Sequence, residues 1–225
     1  MIRPYLMLLG CLSLAASELM TVLQTTEDIS KFEPSSGAEL SNSSLLGQKK
    51  VTICARFLTH QLTTHMYDKP FQDLLIMKPL YLLYNEWSPD IKSATYVGSY
   101  HSFDIWDLGV WNHVCIMLNA ESGILETMIN GKKKLSVKGY KPDQSTLSNN
   151  LTIMALPFSH GFHRSLFGRM TDVNIWSHSF TNEEARAWTT CKTAEGGDMV
   201  NWASAGWRAI GLEEVQVERA EVCKN

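Results

Sequence analysis

Short runs in which apolar and polar positions alternate dominate the chain from residue 51 onward. In Val51–Leu58, the side chains of Val51, Ile53, Ala55 and Phe57 share one face of an extended segment, because successive residues of a strand point to opposite sides. Residues 71 to 87 are apolar and aromatic, with Pro79 separating or bending two strands. Further strands are predicted at 95–97, 102–105, 111–119, 151–156 and 170–176. Glu126–Ile129, Asn130-Gly131 and Lys132–Val137 form a hairpin signal, since Asn-Gly supplies the positive φ angles of a type I′ turn. Residues 35 to 48, rich in Ser, Gly and Asn, predict a surface loop. Thr181-Asn182-Glu183-Glu184 is a capping box that opens one helix through Trp188, and it explains the paired glutamates without chemistry. Many short strands with a single helix predict an all-β fold of two packed antiparallel sheets. No internal repeat or linker divides it.

Before this stands a different pattern. Met1-Ile2-Arg3-Pro4 carries one positive charge, and Tyr5 to Leu14 is apolar but would reach only about 15 Å as a helix, half a bilayer core. Ala15-Ala16-Ser17 then supplies small residues before Glu18. This order is that of a cleaved secretory signal, giving a leader over 1–17 and a domain over 18–225. No later apolar run is long enough to span a membrane. Of the five cysteines, Cys11 lies in the leader. Cys54, Cys115, Cys191 and Cys223 remain, an even set that in an oxidising compartment predicts two disulfides with three connectivities open. Asn42-Ser43-Ser44 and Asn150-Leu151-Thr152 are candidate glycosylation sites at Asn42 and Asn150.

Composition narrows the function classes. Hydrophobic residues make up 44% and charged residues 19%, enough to build a core and unlike a disordered chain. A net charge of −3 gives no general field for nucleic acid or anionic lipid. There is no Gly-x-Ser-x-Gly, His-Glu-x-x-His, Cys-x-x-Cys, phosphate loop or dinucleotide fingerprint, and no carboxylate pair free of a structural explanation. The expectation is a protein that is not an enzyme, with no catalytic residues.

Two passages carry more. Trp111-Asn112-His113-Val114-Cys115 precedes Glu121-Ser122-Gly123 and the Asn130-Gly131 hairpin. Gly168-Arg169-Met170-Thr171-Asp172-Val173-Asn174-Ile175-Trp176 leads into the capped helix, Cys191 and Asn201-Trp202. In this order, from about Phe32 to the end, the chain resembles the pentraxin family. The resemblance implies a two-sheet antiparallel jelly-roll sandwich, concanavalin/laminin-G-like, with one short helix on a face. It implies pairing of Cys54 with Cys115 between core strands, and of Cys191 with Cys223 as in the neuronal-type long pentraxins. Closing long loops, each bond would contribute about 3–4 kcal/mol. Trp111, Trp176 and Trp202 are expected in the core, and His113 as a structural residue rather than a ligand.

The resemblance also implies calcium, held by an Asp-Asn pair in an early hairpin and a Glu-Gln-Asp cluster after a strand. Calcium takes about six to eight oxygens, several of them carboxylate. The cluster should follow Leu151–Met154, yet no Asp or Glu stands between Asn150 and Thr171, and no Asp-Asn pair occurs near Met77–Leu80. The expectation is no metal and no cofactor, with binding left to the loop at 155–167. Phe158, His160, Phe162, His163 and Arg164 are its candidate ligand contacts. His160 and His163 are spaced for one metal, but no third ligand lies nearby, so a solvated loop is expected instead. Phe158, Phe162, Leu166 and Phe167 either extend the core or, exposed, form a patch for a protein or lipid-like partner. Lys132-Lys133-Lys134, with Lys138 and Lys141, reads as a solvated, protected edge rather than a site for sulfated glycan. The chain is thus expected to be a secreted, extracellular, disulfide-bonded glycoprotein that recognises a protein or glycan ligand without calcium. Lectin-like binding of glycans or microbial surfaces, and an extracellular structural or interaction module, are the alternatives. Neither nucleic acid nor a membrane span is expected, and a homo-oligomeric ring is compatible with the resemblance.

Overall fold

The alternation in Lys50–Thr59 builds the centre of the molecule, but both of its faces are buried rather than one. The structure, a computed structural model, describes residues 23–24, 37–45, 47–59, 71–77, 80–85, 92–97, 100–104, 107–139, 150–153, 163–165, 168–193, 195–210 and 222–223. In chain order the strands are β1 (Leu23–Gln24), β2 (Gly37–Ser41), β3 (Lys50–Thr59), β4 (Phe71–Met77), β5 (Leu80–Asn85), β6 (Lys92–Val97) and β7 (Tyr100–Asp104). They continue with β8 (Trp111–Asn119), β9 (Ile124–Ile129), β10 (Lys132–Lys138), β11 (Asn150–Ile153), β12 (His163–Ser165) and β13 (Gly168–Trp176). Helix α1 (Asn182–Thr189) and β14 (Arg208–Ile210) follow.

Two sheets form. One runs β1-β13-β3-β8-β9-β10; the other runs β14-β2-β11-β4-β5-β6-β7, with β12 joined to β4. Among the described residues, every strand pairing is antiparallel except that of β12 with β4. The main core fills the space between them. Val51, Ile53, Ala55, Phe57, Val114, Ile116 and Ile175 from the first sheet meet Ala38, Leu40, Leu151 and Ile153 from the second. This is the predicted all-β sandwich, with a single short α-helix among the described residues.

A second, smaller core lies on the outer face of the first sheet. Cys54, Cys115, Met117, Met128 and Trp176 are roofed there by Ala185 and Trp188 of α1. The helix begins as its capping box requires: the Thr181 hydroxyl accepts from the Glu184 amide, and the Glu184 carboxylate accepts from the Thr181 amide. Those contacts satisfy two backbone donors that the first turn would otherwise leave open. The fully buried Trp188 packs edge-on to Trp176 at 6.3 Å, and Trp176 lies 4.7 Å from Phe180.

Two expectations need correcting. The segment 35–48 is not only a loop. It contains β2, which pairs with β11 and β14 and buries Ala38 and Leu40. Its two inward residues are few among Ser, Gly and Asn, so the partner strands rather than local pattern define it. Of the tryptophans, Trp176 and Trp202 are buried, but Trp111 at the start of β8 is only half-buried, because the sheet ends there. The Asn130-Gly131 turn forms as expected, with φ of 48° and 74°.

Candidate functional site

Of the five loop residues predicted to contact ligand, Phe158, His160 and Phe162 lie outside the described residues. His163 and Arg164 are not loop residues: with Ser165 they form β12, aligned in parallel with Phe71, Gln72 and Asp73 of β4. The same edge of β4 meets β11 at Leu75 and Ile76. A sheet edge with unused amides and carbonyls recruits an extended segment whatever its composition, and that is why His163–Ser165 returns as strand.

In sequence, the segment expected to supply a calcium cluster lacks the oxygen donors that calcium selects. Between β11 and β13 the chain offers no carboxylate, and the β4–β5 connection is Lys78-Pro79. Imidazole and guanidinium are poor partners for a hard cation that selects oxygen.

Asn42 has a part-buried side chain. Its amide nitrogen donates to the Met199 carbonyl at 2.9 Å, and its oxygen accepts from the Ser44 amide and hydroxyl at 3.0 and 2.7 Å. Asn150 opens β11 opposite Ser41 and is exposed. The two candidate glycan sites therefore share one end of the β2–β11 pair. The lysine run caps the edge strand β10, where the register with β9 shifts between Lys133 and Leu135, and Lys133 pairs with Glu126 at 2.7 Å. Charges and a bulge on an edge block strand addition.

Among the described residues, the densest polar constellation lies elsewhere, beside the small outer core. Cys54 and Cys115 face each other across β3 and β8 and are disulfide-bonded, with 4.1 Å between their Cα atoms. Cys191 and Cys223 form the second bond. Arg56, two residues along β3 on the face that carries Cys54, is 2% exposed. Several groups hold it. Its guanidinium carbon sits 4.7 Å from the centre of the Trp188 ring, its Nε pairs with Asp172 at 3.2 Å, and its Nη1 donates to Cys223 Sγ at 3.0 Å.

Asp172 reaches Arg56 because β13 is bulged there. The register against β3 shifts between Thr171 and Asn174, and Asp172 has φ of 54°. The extra residue re-aims the carboxylate, which also accepts from the Asn174 amide. Asn174 in turn uses its oxygen to accept from the backbone amides of Gly197 and Trp202 at 3.1 Å.

His113 lies on β8 next to this group. Its Nε2–H donates to the Val222 carbonyl at 3.2 Å, and Nδ1 is 3.3 Å from Cys191 Sγ. Burial, and then the neighbouring Arg56 charge, lower its pKa from 6.5 to about 4, outweighing the Val222 and Thr189 carbonyls that favour the charged ring. The ring is therefore neutral at physiological pH. His113 Nδ1 and the two sulfurs lie within 4.8 Å of one another, a spacing suited to a metal. With the disulfide formed, though, neither sulfur is the thiolate that binds one, so the oxidised cluster is not a metal centre. In the sequence the four cysteines read only as a disulfide set, and no motif singles out Arg56 or Asp172. An arginine in mid-strand, on the face shared with a buried cysteine, was the available signal.

Comparison with known proteins agrees with this architecture. A family model described as the concanavalin A-like lectin/glucanases superfamily matches residues 35–186. The C-reactive protein of Xenopus laevis is 24% identical over 187 residues, which cover 76% of this chain and 74% of that protein. Jeltraxin of Lepidobatrachus laevis is 22% identical over 125 residues, 51% of this chain and 55% of the relative. Among solved structures, the native heptameric SAP-like pentraxin from Limulus polyphemus superposes with a TM-score of 0.70 at 16% identity, covering 92% of this chain and 99% of the other. At that identity the superposition speaks to the fold.

Proposed function

The chain belongs to the concanavalin A-like lectin/glucanase superfamily and is pentraxin-like within it, and from that premise we propose that it is a secreted, non-enzymatic recognition protein that binds its ligand without calcium. The observation that carries the reading is the donor set. The segment that should supply a calcium cluster holds no Asp or Glu, and part of it is committed to β12 instead.

Secretion follows from the leader expected over residues 1–17, which leaves 18–225 as the mature chain. Two disulfides suit an oxidising compartment. No helix among the described residues is long and apolar enough to cross a membrane. Glycans on Asn42 and Asn150 would emerge together from one end of β2 and β11, leaving other surfaces clear for a partner. Recognition would rest on Phe158, His160, Phe162, His163 and Arg164, whose aromatic and cationic chemistry suits a protein or glycan ligand. A ring of like subunits is the assembly this reading allows.

A calcium titration followed by thermal unfolding tests the central point. Ligand bound to the folded state at about a hundred times its Kd adds about 2.7 kcal/mol of stability. The expected outcome is an unfolding midpoint unchanged between chelator and millimolar calcium; a rise of several degrees removes the proposal. Affinity capture with the glycosylated chain, comparing wild type with Phe158→Ala plus Phe162→Ala, tests the loop. Undiminished partner recovery would exclude it, and a glycan array separates sugar from protein ligands.

A further inference from the structure

We infer that the Cys191–Cys223 bond is a thiol-exchange site, opened by an external dithiol that attacks Cys191 Sγ while Cys223 leaves as a thiolate held by Arg56. Access and leaving-group stabilisation both point to this bond rather than to its neighbour.

Cys54 and Cys115 are each 0% exposed beneath Trp188, whereas Cys191 is half-buried and Cys223 is exposed. No reagent reaches the first bond without disturbing the helix, but one can reach the second in the folded chain. Exchange is faster when the departing sulfur is a more stable anion. The departing sulfur here, Cys223 Sγ, already accepts from Arg56 Nη1 at 3.0 Å. A charge-assisted hydrogen bond strengthens as negative charge develops. The donor needs no rearrangement to act, since Trp188 and Asp172 already fix the guanidinium. On the other sulfur, Nδ1 of the neutral His113 ring lies 3.3 Å away, and in the tautomer that keeps its hydrogen on Nε2 for Val222 it presents a lone pair.

The step balances as follows. A dithiol that has released one proton to solvent attacks Cys191 Sγ; a new S–S bond forms there, and the Cys191–Cys223 electron pair passes to Cys223 Sγ. The second thiol of the reagent then loses its proton and attacks the reagent's own bonded sulfur. The reagent closes to a cyclic disulfide, and Cys191 departs and takes up that proton, to be donated as S–H to His113 Nδ1. The dithiol is oxidised by two electrons and the protein disulfide is reduced by two. Cys223 stays anionic beside Arg56.

The test treats the oxidised, folded full chain with dithiothreitol, traps free thiols with iodoacetamide at intervals, and maps them by peptide mass spectrometry. Cys191 and Cys223 are expected to be labelled together at least about tenfold faster than Cys54 and Cys115. An Arg56→Met variant is expected to slow that phase by about tenfold. Equal rates for the two bonds, or a rate unchanged in a folded Arg56→Met variant, overturn the inference. Should the variant fail to fold, the wild type decides alone. In the reduced folded chain, alkylation of Cys223 should reach half its maximal rate at least one pH unit below the value for the urea-unfolded chain, and coincident midpoints overturn the inference.

Discussion

The two disulfides lie on the same outer face of the first sheet, yet they sit in different chemistry. Cys54–Cys115 joins directly opposed residues of adjacent strands and is surrounded by Met117, Met128, Trp176 and Trp188. Cys191–Cys223 ties the end of α1 to the end of the chain, with Arg56 and His113 as polar neighbours. Their sequence separations are 61 and 32 residues. By chain entropy that difference is worth only about 0.6 kcal/mol. The contrast between them must therefore come from their surroundings: the first bond is part of a packed interior, the second a polar clasp at its rim.

The largest effect that could break this contrast comes from removing each bond. Cys54→Ala with Cys115→Ala should cost about 4 kcal/mol in lost cross-linking plus about 1 kcal/mol for the void under Trp188. Cys191→Ala with Cys223→Ala should cost less, because its sulfurs lie nearer to solvent. Denaturant unfolding of both variants checks the order, and a clasp variant less stable than the interior variant reverses the comparison.

Next in size is a pH effect confined to the clasp. His113 binds its proton less tightly in the folded chain, at about 4 against an ordinary 6.5, so the unfolded state holds more protons between those values. The stability is present in full above about pH 6.5 and is lost as the pH falls toward about 4, by about 3 kcal/mol in all. A His113→Gln chain should show a flatter profile across that window in pH-dependent unfolding, and an unchanged slope would detach the histidine from it. Carboxylates contribute at lower pH: hydrogen bonds from Thr181 pull the Glu184 pKa down, so its contribution is lost only as the pH falls below the ordinary carboxylate range.

The smallest effect sharpens the picture from the helix side. Thr181→Ala removes the cap and should cost about 1 kcal/mol. It is expected to raise hydrogen exchange in the first turn of α1, leaving amides of β3 and β8 protected, because the roof residues Ala185 and Trp188 come later in the helix. Equal loss of protection in the strands would mean that the interior bond depends on the cap as well.

How much of this was readable in advance follows the range of the interactions. The hairpin at Asn130-Gly131, the capping box at Thr181 and the alternation of β3 are set by residues a few positions apart, and all were legible. The strand β2 was not, because two small apolar side chains among polar neighbours mark a strand only when β11 and β14 lie alongside. The segment at His163 looked like a loop for the same reason: the open edge of β4 gives it its conformation. The polar cluster was furthest from view. Arg56 and Asp172 come together only through the β3–β13 pairing, and only because one extra residue in β13 turns Asp172 toward its partner. No spacing rule announces that bulge, although an arginine among buried strand positions asks for an acid somewhere.

Gly131 ties the hairpin to these features. Its amide donates to the Thr189 hydroxyl, its carbonyl accepts from Arg186, and an added methyl would stand 2.7 Å from Thr190 Cγ2. With φ at 74°, the residue is doubly constrained. Any side chain there would act as a wedge, prying up the final turn of α1 one residue before Cys191. A single carbon in a hairpin bend would thereby reach the clasp through nothing more than leverage.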